Sequence, residues 1–176
     1  MITCENDALQ IELEQTEPAA LTAEQLVAAA DEALAGGDFA AVRQRLRDAF
    51  ELAPNEGEIA LALGHAELNG GSLSAALDAY SAAASLMPNS PASHASRALA
   101  LQLLARSSEA AQAAAHAISL DPDQVIALKV RARIHLNASR PELAQQCCLR
   151  ILTRHGNDRD AKKMLYESLV NSQIPL

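Results

Sequence analysis

The sequence predicts an all-α protein built as a solenoid of antiparallel helix hairpins. Three observations carry that expectation. Pro54, Pro88 and Pro122 stand 34 residues apart in a chain with only 7 prolines. Alanine, the strongest helix former, supplies 38 of the 176 residues. Aromatics make up only 2% of the chain, which disfavours a β-sandwich or barrel and any aromatic platform for nucleotides or RNA.

Other residues share the proline period. One further step of 34 lands on Gly156, another helix breaker; Gly36-Gly37 recurs as Gly70-Gly71; and Leu52, Leu86 and Leu120 each sit two residues before a spaced proline. A fixed period of this length marks a repeat architecture in which each hairpin buries its apolar face against the next. Set by the prolines, the units are 23–56, 57–90, 91–124 and 125–158, followed by a capping helix and tail over 159–176. Residues 1–22 fall outside the frame as an acidic N-terminal arm. Thr22-Ala-Glu-Gln25 and Ser139-Arg-Pro-Glu142 fit the capping-box pattern, and Ser90-Pro91 places proline at a first helical turn. Helices are expected over 23–35, 39–53, 57–69, 73–87, 91–105, 108–120, 124–137, 140–155 and 159–171.

Unit 57–90 carries Leu63-Gly64, Ala76, Tyr80, Ala83 and Pro88; unit 23–56 carries Leu26, Ala30, Leu46, Ala49 and Pro54. Unit 91–124 keeps Ala98, Ala110, Ala117 and Pro122, and unit 125–158 keeps Leu128, Ala132 and Ala144. This pattern resembles the tetratricopeptide repeat, a 34-residue helix–turn–helix family, over about four repeats plus a C-terminal capping helix. Arg97 replaces an expected leucine, and Cys148 and Ile151 stand where the signature has an aromatic and an alanine.

The resemblance implies a right-handed superhelix whose concave groove is lined by the first helix of each unit. Carried onto this chain, its ligand-facing positions are Val27, Asp31, Leu61, His65, Asn69, Leu99, Leu103, Lys129, Arg133, Asn137 and Lys163. A chaperone-binding subgroup of the family clamps a C-terminal carboxylate with a lysine and an asparagine in its first repeat. Val27 and Asp31 hold those positions here, so that clamp is absent. Lys129, Arg133 and Lys163 could hold a carboxylate through charge-assisted bonds, or be ordinary solvated charge. Leu99 and Leu103 could meet a ligand or pack on the next unit. Asn69 and Asn137 could pair with a peptide backbone, or end their helices for local reasons.

The formal net charge is −8, against sequence-independent binding to phosphate backbones. Residues 1–124 hold 5 basic and 18 acidic side chains, whereas 125–176 hold 9 basic and 4 acidic, an asymmetry able to steer a partner or align copies head to tail. In the N-terminal arm Leu9-Gln-Ile11-Glu-Leu13-Glu alternates apolar and acidic; it is either a loose tail or an extended strand lying in a groove against Lys129 and Arg133.

The three cysteines, Cys4, Cys147 and Cys148, form no spaced framework and fit a reducing compartment. Cys148 is expected in the core as a small hydrophobe, with Cys147 more exposed beside it. There is no CxxC, HExxH, phosphate loop or nucleophile elbow, so no enzyme activity, metal or cofactor is expected. Neither a signal peptide nor a membrane span is legible, and the expected home is the cytoplasm. Met164, Leu165, Leu169 and Val170 give the last helix an apolar surface that a homodimer or further chain would cover.

The expected function is a non-enzymatic adaptor holding a peptide or protein segment in the groove. The alternatives are a regulatory or oligomerising module of a larger bacterial enzyme, and a secretion-type chaperone.

Overall fold

The computed structural model describes residues 21–172, and the N-terminal arm hypothesis therefore concerns residues outside the described part. Among the described residues there are nine helices: α1 Ala23–Ala35, α2 Phe39–Leu52, α3 Gly57–Asn69, α4 Leu73–Leu86, α5 Pro91–Leu103, α6 Ser107–Leu120, α7 Val125–Asn137, α8 Pro141–Arg154 and α9 Arg159–Ser172. Each follows the expected span to within two residues at either end. Every helix packs against the next in the chain, and α7 also touches α5 and α9, so these three odd-numbered helices share an inner face.

The period is visible in what is buried. Ala76, Ala110 and Ala144, spaced by 34, are fully buried, as are Ala49, Ala83 and Ala117. With only a methyl group, these residues let helix backbones approach closely, and dispersion contacts between the helices gain accordingly. Tyr80 is the one large ring sealed inside, at 0% exposure. It lies directly over Gly64, where any Cβ would collide with the ring. The largest core cluster joins Tyr80 to Ala95, Ala98, Leu101, Ala114 and Val130, spanning α4 to α7.

The caps divide. At α1 the Thr22–Gln25 box forms, with Gln25 N–H donating to Thr22 Oγ1 at 3.3 Å and Thr22 N–H to Gln25 Oε1 at 2.9 Å. At α5 Ser90 accepts from Ser93 N–H and Pro91 begins the helix. The expected box at Ser139 and Glu142 does not form, because the N-cap is Arg140 and no side chain caps it. Ser139 instead has φ 54°, in the left-handed region, whereas an N-cap needs extended backbone.

The reason is again periodic. The left-handed residues are Gly37, Gly71, Ala105 and Ser139, one every 34 residues, each closing the turn inside a hairpin. Glycine takes that conformation freely, but a residue with a Cβ is strained by about 1–2 kcal/mol. Ala105→Gly and Ser139→Gly are therefore each expected to stabilise the fold by roughly 0.5–1 kcal/mol, read as a higher urea midpoint at unchanged slope; an unchanged or lower midpoint would contradict the assigned strain.

Candidate functional site

The inner face carries the charged and polar side chains with most chemistry. On α7, Lys129 Nζ bridges Asp158 at 2.9 Å and Asp160 at 3.0 Å. One turn further on, Arg133 Nη1 donates to both carboxylate oxygens of Glu167 on α9, at 3.2 and 2.9 Å. Lys129 and Arg133 are thus engaged by the capping helix and the loop before it. The carboxyl of Asp158 is raised by burial, but Lys129 and the N–H groups of Ala161 and Asp160 outweigh that and hold it below the ordinary aspartate value. Lys129 is pulled down by its own burial yet ends above the ordinary lysine value, because both aspartates hydrogen-bond its charged form.

Around these pairs lies a pocket of about 360 Å³, floored by Leu99, Ile126, Val130 and Met164 and edged by Lys163. Lys163 is exposed and enters no ion pair among the described residues. At the other end of the inner face a larger cleft, about 530 Å³, runs along α1 beside the α2–α3 loop and has Glu24, Val27, Asp31, Glu56 and Ile59 in its lining.

Between the two clefts, His65 lies edge-on to Tyr80 with ring centroids 5.4 Å apart and Nε2 3.4 Å from Ser96 Oγ. Desolvation lowers its pKa from the ordinary histidine value. Leu61 and Leu99 are half-buried against the main core, and Leu99 also lines the 360 Å³ pocket. Leu103 is 47% exposed, and Asn69 and Asn137 end α3 and α7 with their side chains exposed.

The two vicinal thiols are both buried, at 7% exposure for Cys147 and 0% for Cys148. Cys147 is the more exposed of the two, as expected, but only slightly, because α8 is covered by α7 on one side and α9 on the other, so two positions about 100° apart are both enclosed. Burial pushes the Cys148 thiol up to about 11, helped by Cys147 beside it. Burial also raises Cys147 despite Arg131 and Arg150, and Arg150 is occupied by Asp123 at 2.9 Å. Neither thiol has the electropositive setting of a reactive cysteine.

His94 and His116 stack at 4.1 Å, but no group of three His, Cys, Asp or Glu side chains among the described residues could hold a metal. No described helix is long and apolar enough to cross a membrane.

Nine described helices in sequential hairpins, with a left-handed turn every 34 residues, decide the architecture. The fold is that of the tetratricopeptide repeat. Tetratricopeptide proteins of known structure superpose over most of the chain. The crystal structure of MamA matches with a TM-score of 0.67 at 17% identity, covering 82% of this chain and 94% of that one. YrrB, a TPR protein with an unusual peptide-binding site, matches with a TM-score of 0.70 at 15% identity, covering 80% of this chain and 73% of YrrB. The first TPR of Spaghetti, bound to an HSP90 peptide, matches with a TM-score of 0.64 at 19% identity over 67% of this chain and 96% of its own. At these identities the likeness is one of fold. No family model and no curated protein matches the sequence.

The tetratricopeptide frame explains the ion pairs, because Arg133 and Glu167 are 34 residues apart and so hold equivalent places on adjacent inner helices. Sequence reasoning overlooked that pairing, although an opposite charge one full period away was there to be found. The depressed pKa of Asp158 means that its bond to Lys129 is present at neutral pH and lost as pH falls through the folded-state value, below the ordinary 3.8. Acid titration followed by NMR should show the α9 amides losing protection before those of α5; loss in the reverse order would contradict the tether.

Proposed function

We propose that this chain is a non-enzymatic interaction module that holds an extended segment of a partner protein against its inner helices. The observation that carries it is that each odd-numbered helix keeps an exposed side chain at one of the expected ligand-facing positions: Asp31, Asn69, Leu103, Asn137 and Lys163. An extended peptide laid across the helices meets each in turn, and the asparagine amides offer it a donor and an acceptor together. Val27, Leu61, His65 and Leu99 would line the floor beneath, and no cofactor is involved.

The ion pairs alter the chemistry of the segment. Lys129 and Arg133 already have carboxylate partners, so a ligand acid would have to displace them. Lys163 remains the open cation, while Glu24, Asp31 and Glu56 form no ion pair among the described residues. The segment that fits best therefore has an apolar middle and a basic residue toward α1. The free thiols, buried and unactivated, suit the reducing cytoplasm.

The test is selection of displayed random peptides against the intact chain, followed by titration of the enriched sequences. They should bind with micromolar affinity, about −8 kcal/mol. Leu103→Asp and the double variant Asn69→Ala/Asn137→Ala should each weaken binding about tenfold, or about 1.4 kcal/mol, at unchanged helicity. Absence of any enriched sequence, or equal affinity in all three proteins, would refute the groove as the binding face.

A further inference from the structure

Among the described residues, the two terminal helices are opposite in chemistry. On α9, Ala161, Met164 and Ser168 face inward and are buried. Arg159, Lys162, Tyr166 and Leu169 follow one another at helical spacing along the exposed side. Tyr166 is 71% exposed, and Leu169 and Val170 are 46% and 41% exposed beside it. The acids that would neutralise this end are used internally, since Asp158 and Asp160 hold Lys129 and Glu167 holds Arg133. Arg159, Lys162 and Lys163 have no such partner; Lys162 reaches only the amide oxygen of Asn157, at 3.3 Å. The result is a protruding aromatic ring flanked by cations.

The opposite end offers the complement. Helix α1 contains no basic residue, and its exposed Glu24, Asp31 and Glu32 alternate with small exposed Ala28 and Ala35. The 530 Å³ cleft along it has apolar walls at Val27, Ala28 and Ile59, with Glu24, Asp31 and Glu56 among its lining. These acids, like the lysines of α9, form no ion pair among the described residues. A small-sided cleft with an acidic lining fits a tyrosine flanked by lysines, and aromatic anchors in pockets carry much of the energy of protein contacts.

We propose that copies of this chain join head to tail, with α9 of one copy seating Tyr166 in the α1 cleft of the next. Lys162 and Lys163 then face Glu24, Asp31 and Glu56 of that neighbour. The contact pairs two different surfaces, so it generates a row or a ring and does not stop at a two-fold dimer. It competes with a bound segment for Asp31, Val27 and Lys163 and leaves Asn69, Leu103 and Asn137 to that segment.

The experiment measures mass in solution by light scattering and sedimentation across a wide range of concentrations, using the full 176-residue chain. Wild type should grow with concentration beyond the 18.6 kDa of a single chain, and should dissociate in about 1 M salt, where the Debye length is about 3 Å. Tyr166→Lys and Ala28→Arg each spoil one end at an exposed position, so both should fold with wild-type helicity and remain single chains. Mixed in equal amounts, they should form a one-to-one pair and nothing larger, because only one good end of each remains. A wild type that stays a single chain would overturn the proposal. So would an Ala28→Arg protein that assembles like wild type, which would place the acceptor for α9 elsewhere, or a mixture that forms no pair.

Discussion

Every helix in this chain depends on close contact with its neighbours through alanine and glycine. Ala76, Ala110 and Ala144 are each fully buried, and Gly64 admits the ring of Tyr80 where no Cβ would fit. Small residues bring little apolar surface of their own, so their value lies in bringing two backbones near enough for many weak dispersion contacts. The consequence is a fold held by nearest neighbours, with no single central core. Its largest cluster spans α4 to α7, where both sides of each hairpin are covered. Among the described residues, helices α1 and α9 each pack on neighbours from one side only, which leaves their exposed chemistry.

Electrostatics supplements packing where the alanine pattern weakens. The unit 125–158 lacks the aromatic that Tyr80 provides earlier, and Cys148 occupies the site with a smaller, softer side chain. There the chain ties its last helix with Lys129 and Arg133, both partly buried and each held by carboxylates from the following segment. The same pairs remove two cations from the inner face. They make the groove more acidic than a count of its residues indicates, and leave the cations of α9 without internal partners. One set of contacts therefore shapes the cap, the groove and the terminal surface together.

Much of this was legible before any coordinates. Prolines and glycine pairs at one interval specified the number and limits of the helices, because breakers act locally and their spacing survives sequence drift. Three features were hidden for physical reasons. Ser139 reads as an N-cap locally, yet the period assigns it the left-handed turn that Gly37 and Gly71 occupy, and tertiary position prevails over local pattern. That Cys147 is buried along with Cys148 was hidden, because a single helix has one buried face, whereas α8 is enclosed by two neighbours. Lys129 and Arg133 looked available because their partners lie about one period away; the contacts between adjacent units recur at separations of 27, 31 and 34 residues.

The central claim is that stability passes from each helix to the next with no shared core, and native-state hydrogen exchange tests it most directly. A graded profile is expected: slowest exchange in α4 through α7, faster in α2, α3 and α8, and fastest in α1 and α9. Equal protection across all nine helices, collapsing together in one cooperative step, would contradict it.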